Sequence, residues 1–175
     1  PDSLTHEFKT AHGRTVRDGG GITPDVTLKG HEYSRLTYSL VYSGIIEQYV
    51  LEYVRSHESA DEDFHLSDKD WADFVAFAKT KEFDYRSGAR TYFDRMKKEL
   101  ESDGLSKNMS AELDALQKAL EMDKETFLRL KKDEIVPFIE EEITVRYHFQ
   151  EAGIKIRLRY DDQLREALAS PMIEI

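Results

Sequence analysis

From residue 33 onward, apolar side chains recur every three or four positions, the spacing that lines one face of an α-helix. Over residues 33–55 two such stripes run side by side. Leu36, Leu40, Tyr49 and Tyr53 form one, and Tyr38, Tyr42, Ile46, Val50 and Val54 the other, which predicts one helix buried on more than one side. The polar, acidic stretch 56–63 interrupts the pattern and reads as a loop. Ser67 is placed to cap the next helix, with Asp70 three residues on and Leu66 and Trp71 as a hydrophobic staple; Trp71, Phe74, Val75 and Ala78 form its inward stripe. A third helix is expected over 89–101 with Tyr92, Phe93, Met96 and Leu100 facing in and Gly104 as its stop. A fourth, short one is expected over 111–121, carrying Leu113, Leu116 and Leu120.

Asp123 reads as the cap of the longest helical stretch, with Met122 and Phe127 as its staple. The series Phe127, Leu130, Ile135, Ile139, Ile143 and Tyr147 carries that stretch to about residue 151. Pro137 should kink or split it, because proline removes a backbone donor and crowds the preceding turn, and Gly153 should end it. Ile154, Ile156, Leu158 and Tyr160 then alternate with Lys155, Arg157 and Arg159, the period of a half-buried strand. A strand needs a partner. The remaining strand candidates lie in the first thirty residues, so the two ends of the chain are expected to pair. A last helix over 163–169 stops before Pro171.

The first thirty residues have a different texture. Five of the nine glycines fall between Gly13 and Gly30, three of them consecutive. Residues 4–9 and 15–17 read as extended, 11–13 as a turn, Gly19 to Gly21 as a bend and 26–28 as a last strand. The fold class expected is therefore mainly α: a bundle-like helical region over 31–175, with a few short strands from 1–30.

Composition narrows the chemistry. The 175 residues contain no cysteine, which removes disulfide scaffolds, thiol catalysis and cysteine-bound metals. The formal net charge of −10 argues against nucleic acid as a partner, since phosphate binding draws on Lys and Arg. The longest uncharged apolar stretch, 36–46, contains three Ser or Thr and leads into Glu47, so no membrane span is expected. The chain starts at Pro1 without an initiator Met, and a piece of a longer polypeptide is expected.

Candidate catalytic and metal residues fail on spacing. His6, His31 and His57 each precede a Glu, but none has a second His four residues on, as a helical zinc site requires. Asp61, Asp63 and His65 lack the sixth-position Gly of a calcium loop, and Ala72 stands where its bidentate Glu would be. The run Glu140 to Glu142, with Arg146 nearby, reads as a solvated helix face. No nucleophile elbow and no phosphate-binding glycine loop is present, so the residues by themselves assign no catalytic group, cofactor or metal.

One segment is more specific. Glu7-Phe8-Lys9-Thr10, then Gly13-Arg14, then Gly19-Gly20-Gly21-Ile22-Thr23-Pro24-Asp25-Val26 resembles the end of the catalytic core in carboxyl-terminal processing serine proteases, also called tail-specific proteases. The lead-in from Pro1 to Thr10 is similar to envelope members with a long helical C-terminal extension. The stretch Arg146-Tyr147-His148-Phe149-Gln150 is also similar to that branch, where an aromatic is more usual than His148. The matching positions carry structure. Glycines permit positive φ, Pro24 fixes the start of a strand and Asp25 bonds turn amides.

The resemblance implies a parent endopeptidase with a Ser nucleophile and a Lys base, both upstream of Pro1 together with the family's PDZ module. It implies a non-catalytic piece here, and a periplasmic or cell-envelope location. The partners it implies are the protease core of the same polypeptide, the parent's protein or peptide substrates, and a second copy of the chain. The alternative is a free-standing helical interaction module with a coincidental glycine-rich start.

Overall fold

A computed structural model describes residues 6–11, 13, 15–18, 26–30 and 32–170. The chain divides into two compact units, 1–31 and 32–175.

In the first unit, β1 (Glu7–Lys9) and β2 (Thr15–Arg17) form an antiparallel hairpin in which Phe8 faces Val16 and Glu7 faces Arg17. Arg17 closes an ion pair to Glu7 at 2.7 Å, and the Gly13 N–H donates to the Thr10 carbonyl at 2.9 Å to form the turn. All six strand residues are exposed. No third strand forms among the described residues: 26–30 is bend and coil, so the strand expected at 26–28 is absent.

The second unit is helical. Its elements are α1 (Arg35–Tyr42), α2 (Ile45–Ser56), α3 (Asp68–Lys79), α4 (Gly88–Ser102), a 3₁₀ turn (Ser106–Met109), α5 (Ser110–Leu120), α6 (Lys124–Leu130), α7 (Lys132–Arg159) and α8 (Asp162–Ala169). Together with the hairpin this is the mainly α fold the apolar spacing predicts. The single helix expected over 33–55 is two. Gly44 sits at φ +67°, a left-handed conformation that ends α1 and starts α2. The turn rotates the second stripe out of register, leaving Tyr38 and Tyr42 exposed while Ile46 and Val50 are buried.

α1, α2, α3, α6 and the first part of α7 share one core. Its innermost members include Leu36, Leu40, Val50, Phe74, Leu128, Ile135, Ile139 and Ile143. Each such side chain contributes about 1.5–3 kcal/mol relative to exposure. α4 and α5 pack on each other, burying Phe93 and Leu113 only, so Tyr92, Met96 and Leu116, expected to face in, are exposed. Leu130 is exposed too, because Lys131 breaks the expected long helix after α6.

α7 passes Pro137 in helical geometry and breaks instead at Phe149, at φ +65° and ψ −177°. Proline near the start of a helix costs one bond; a residue outside helical space redirects the chain. Glu141 pairs with Arg157 and Glu140 with Arg159, residues that a straight helix would hold more than 20 Å apart. Residues 132–148 and 150–159 therefore form an antiparallel helical hairpin with Phe149 at its tip. Residues 154–159 of the strand expected over 154–160 are helix and Tyr160 is the helix C-cap, so the strand that was to pair with the N-terminal segment does not form. Ala152, Gly153 and Ile156 face inward at helical spacing, and the alternating Ile154 and Leu158 are exposed. Gly153 does not end the helix. It is where the two arms touch, and a Cβ there would collide with Val145 Cγ2.

Candidate functional site

The hairpin positions a polar lock. Glu140, expected on a solvated face, is 2 % exposed. One of its carboxylate oxygens accepts the Leu66 N–H at 2.8 Å; the other accepts Arg159 at 2.8 Å and the Tyr160 hydroxyl at 2.7 Å. Arg159 also donates to the Phe64 carbonyl at 3.0 Å and pairs with Asp63. Burial, together with the bond to Glu140, pushes the Tyr160 phenol up to about 12. A buried carboxylate is tolerated only when its lone pairs are filled, and here three donors fill them. The network ties both arms of the hairpin to the 57–66 loop. The Tyr147 hydroxyl adds a bond to the His57 carbonyl at 2.6 Å, His148 Nε2 one to the Ala60 carbonyl at 2.6 Å, and Lys155 an ion pair to Glu62 at 2.6 Å.

A second carboxylate fixes the start of the bundle. Glu134 accepts from the Ser34 N–H at 2.7 Å, the Thr37 hydroxyl at 2.8 Å and Lys131 at 2.7 Å. Burial alone would raise its pKa, but the donors prevail and hold it at about 2.

The metal and catalytic readings can be placed on this geometry. Asp63 is engaged by Arg159, and no group of three or more His, Asp or Glu able to hold a metal occurs among the described residues. His6 is bonded through its backbone and ring to Asp18, and His31 lies outside the described residues. His57 stacks on Tyr53 with ring centroids 3.9 Å apart. The Ser56 hydroxyl lies 3.1 Å from His57 Nδ1, which invites comparison with a nucleophile and its base. That nitrogen, however, faces the Tyr53 carbonyl at 2.9 Å, and a carbonyl only accepts, so Nδ1 carries the proton and cannot take one from Ser56. The Ser56 hydroxyl in turn caps the end of α2 against the Tyr53 and Glu52 carbonyls.

Of the family-motif positions, Gly13 takes φ +80° in the hairpin turn and Val26 is exposed outside any strand. Arg14, Gly19, Gly20, Gly21, Ile22, Pro24 and Asp25 lie outside the described residues. The motif reading missed Glu134 and Glu140. Glu140 carries a signal in retrospect: it sits four residues from both Val136 and Thr144, beside the Ile135, Ile139 and Ile143 row, so its neighbours one turn away are not solvent-facing.

A cleft of about 710 Å³ lies among the 83–87 segment, the first turns of α4, and the 120–123 linker with Phe127 of α6.

A family model described as "Probable PDZ-protease, C-terminal helical domain" matches residues 36–170. No curated protein and no solved structure matches the chain. The match begins inside α1 and spans every later helix, leaving the hairpin unit outside it.

Proposed function

The chain belongs to the family of C-terminal helical domains of probable PDZ-proteases, and from that premise we propose that it is the non-catalytic end of a serine endopeptidase of the carboxyl-terminal processing type. The match over 36–170 carries the reading. In it, residues 31–175 form a helical extension that braces, assembles or regulates the protease core, and residues 1–30 are the last strands of that core. The Ser and Lys that cleave peptide bonds lie upstream of Pro1, in an envelope protein.

Two observations support the division. The family match stops short of the hairpin unit, and that hairpin exposes its apolar cross-strand pair, Phe8 and Val16. A two-stranded hairpin is marginal by itself in water, so strands of this kind are at home at the edge of a larger sheet. No helix among the described residues is long and apolar enough to cross a membrane.

The coding region preceding Pro1 tests the reading directly. It is expected to encode a Gly-Ser-x-Ser segment and, further on, a Gly-Lys segment in frame with this chain. A start codon immediately before Pro1, or an unrelated upstream domain, would favour a free-standing helical interaction module instead.

A further inference from the structure

Residues 88–120, the arm formed by α4, the 3₁₀ turn and α5, are set apart from the rest of the helical unit. The arm's buried apolar side chains, Phe93 and Leu113, do not belong to the core shared by α1, α2, α3, α6 and α7. Among the described residues no ion pair joins 88–120 to a helix of that core. The side-chain hydrogen bond that does so is exposed: Arg35 Nη1 donates to the Thr91 hydroxyl at 3.1 Å. Elements with few buried apolar contacts of their own and exposed attachments are the ones that move as units.

The chain crosses between body and arm twice, and both crossings are non-helical. The incoming linker is pinned as far as Tyr85. The Lys81 carbonyl accepts from Lys124 at 2.7 Å and the Asp84 N–H donates to the Ser39 hydroxyl at 3.0 Å. Phe83 and Tyr85 pack on the core, with the Lys124 ammonium over both rings. The outgoing linker is fixed again at Asp123, the cap of α6. Ser87 caps α4, and the Glu121 N–H bonds the Gln117 carbonyl, so these two residues go with the arm. Between the pinned stretches lie Arg86, exposed and bonded to its near neighbour Asp84, and Met122. Both line the cleft of about 710 Å³, so the two crossings meet at one cavity and can act as one hinge. The arm supplies Arg90, Asp94 and Leu120 to that cleft, and the body supplies Phe83, Tyr85 and Phe127.

We infer that the arm is a lid: α4 and α5 swing together about Arg86 and Met122, opening and closing the cleft, with both positions populated at equilibrium and the Arg35 to Thr91 bond as the latch. Swung out, the arm uncovers Phe83, Tyr85 and Phe127. Arg35 also pairs with Asp84 at 3.3 Å, which keeps its guanidinium on the body side when the latch is released. The lid concerns the helical unit alone, so its failure would leave the proposed protease reading standing.

The chain has no cysteine, so paired spin labels can be placed at will. Gln48→Cys on α2 with Lys107→Cys at the far end of the arm reports the swing, and Gln48→Cys with Asp133→Cys on α7 reports the body; all three side chains are exposed. Pulsed electron resonance on the whole chain is expected to give two distances for the arm pair and one narrow distance for the body pair. Thr91→Val, which removes the latch hydroxyl, should raise the ratio of the longer to the shorter arm distance by about twofold to fivefold, the range for an exposed charged contact, and leave the body pair unchanged. One arm distance as narrow as the body distance, unmoved by Thr91→Val, would overturn the inference. Hydrogen exchange that shows α4 and α5 losing amide protection throughout whenever the long distance is populated would overturn it too, because the arm would then melt instead of swinging.

Discussion

Phe149 has a backbone at φ +65° and a ring 81 % exposed, so its side chain gains little from packing while its main chain sits where a Cβ is unwelcome. Replacing it with Ala keeps the backbone cost; replacing it with Gly removes about 1–3 kcal/mol of it, because φ +65° with ψ −177° is a region that essentially only glycine occupies. In urea unfolding, Phe149→Gly is expected to be more stable than Phe149→Ala by about 1 kcal/mol, and the reverse order would show that the left-handed conformation is not retained. Glu140 is the opposite case, a charge whose surroundings were built for it. Glu140→Ala leaves the Leu66 N–H, the Tyr160 hydroxyl and part of Arg159 without their acceptor, with an expected loss of about 3 kcal/mol by the same measurement. Glu134 makes stability pH-dependent. Its folded pKa, about 2, lies below the ordinary 4.5, so its contribution is fully present above pH 4.5 and is lost as pH falls from 4.5 towards 2. Glu134→Gln is expected to lower stability at neutral pH and to flatten the fall in thermal midpoint across that window.

At the scale of elements, the end signals were the most legible part of the sequence. Ser67 and Asp123 cap α3 and α6 through the Asp70 and Thr126 N–H groups, and Gly104 follows α4 at φ +72°. Such signals act within one turn, so local sequence suffices to read them. Two local breaks, at Gly44 and at Lys131, were not read, and the larger failures came where a distant contact chose between two local patterns. Residues 154–160 alternate as a strand would, yet Ala152, Gly153 and Ile156 also satisfy a helical period, and packing of this arm against Val145 and Glu141 decides for the helix. The break at Phe149 left no trace, because the residue that bends the chain is a phenylalanine and the nearby glycine is used for close approach. Gly153→Ala is expected to cost about 1–3 kcal/mol by overpacking the arm contact, far more than Gly to Ala on an open helix face, where the change would stabilise. An increase in thermal midpoint would show that the two arms do not meet at Val145.

For the whole molecule, the acidic balance has been dispersed into ion pairs that are mostly exposed, and each of those contributes little. The bundle rests instead on the apolar core around α2 and α7, on the buried Glu140 and on the partly buried Glu134, two carboxylates that the spacing of motifs could not reveal. The glycine-rich start and the helical remainder were distinguishable from composition alone, and the family match falls on the helical part. The groups that would carry proteolysis are placed by the proposed function outside this chain, which makes activity the sharpest discriminator. The decisive measurement is cleavage of an unfolded protein substrate by the full-length parent polypeptide and, in parallel, by this 175-residue chain. The parent is expected to cleave and the chain alone to leave the substrate intact over the same time; cleavage by the purified chain alone would contradict a non-catalytic role for it.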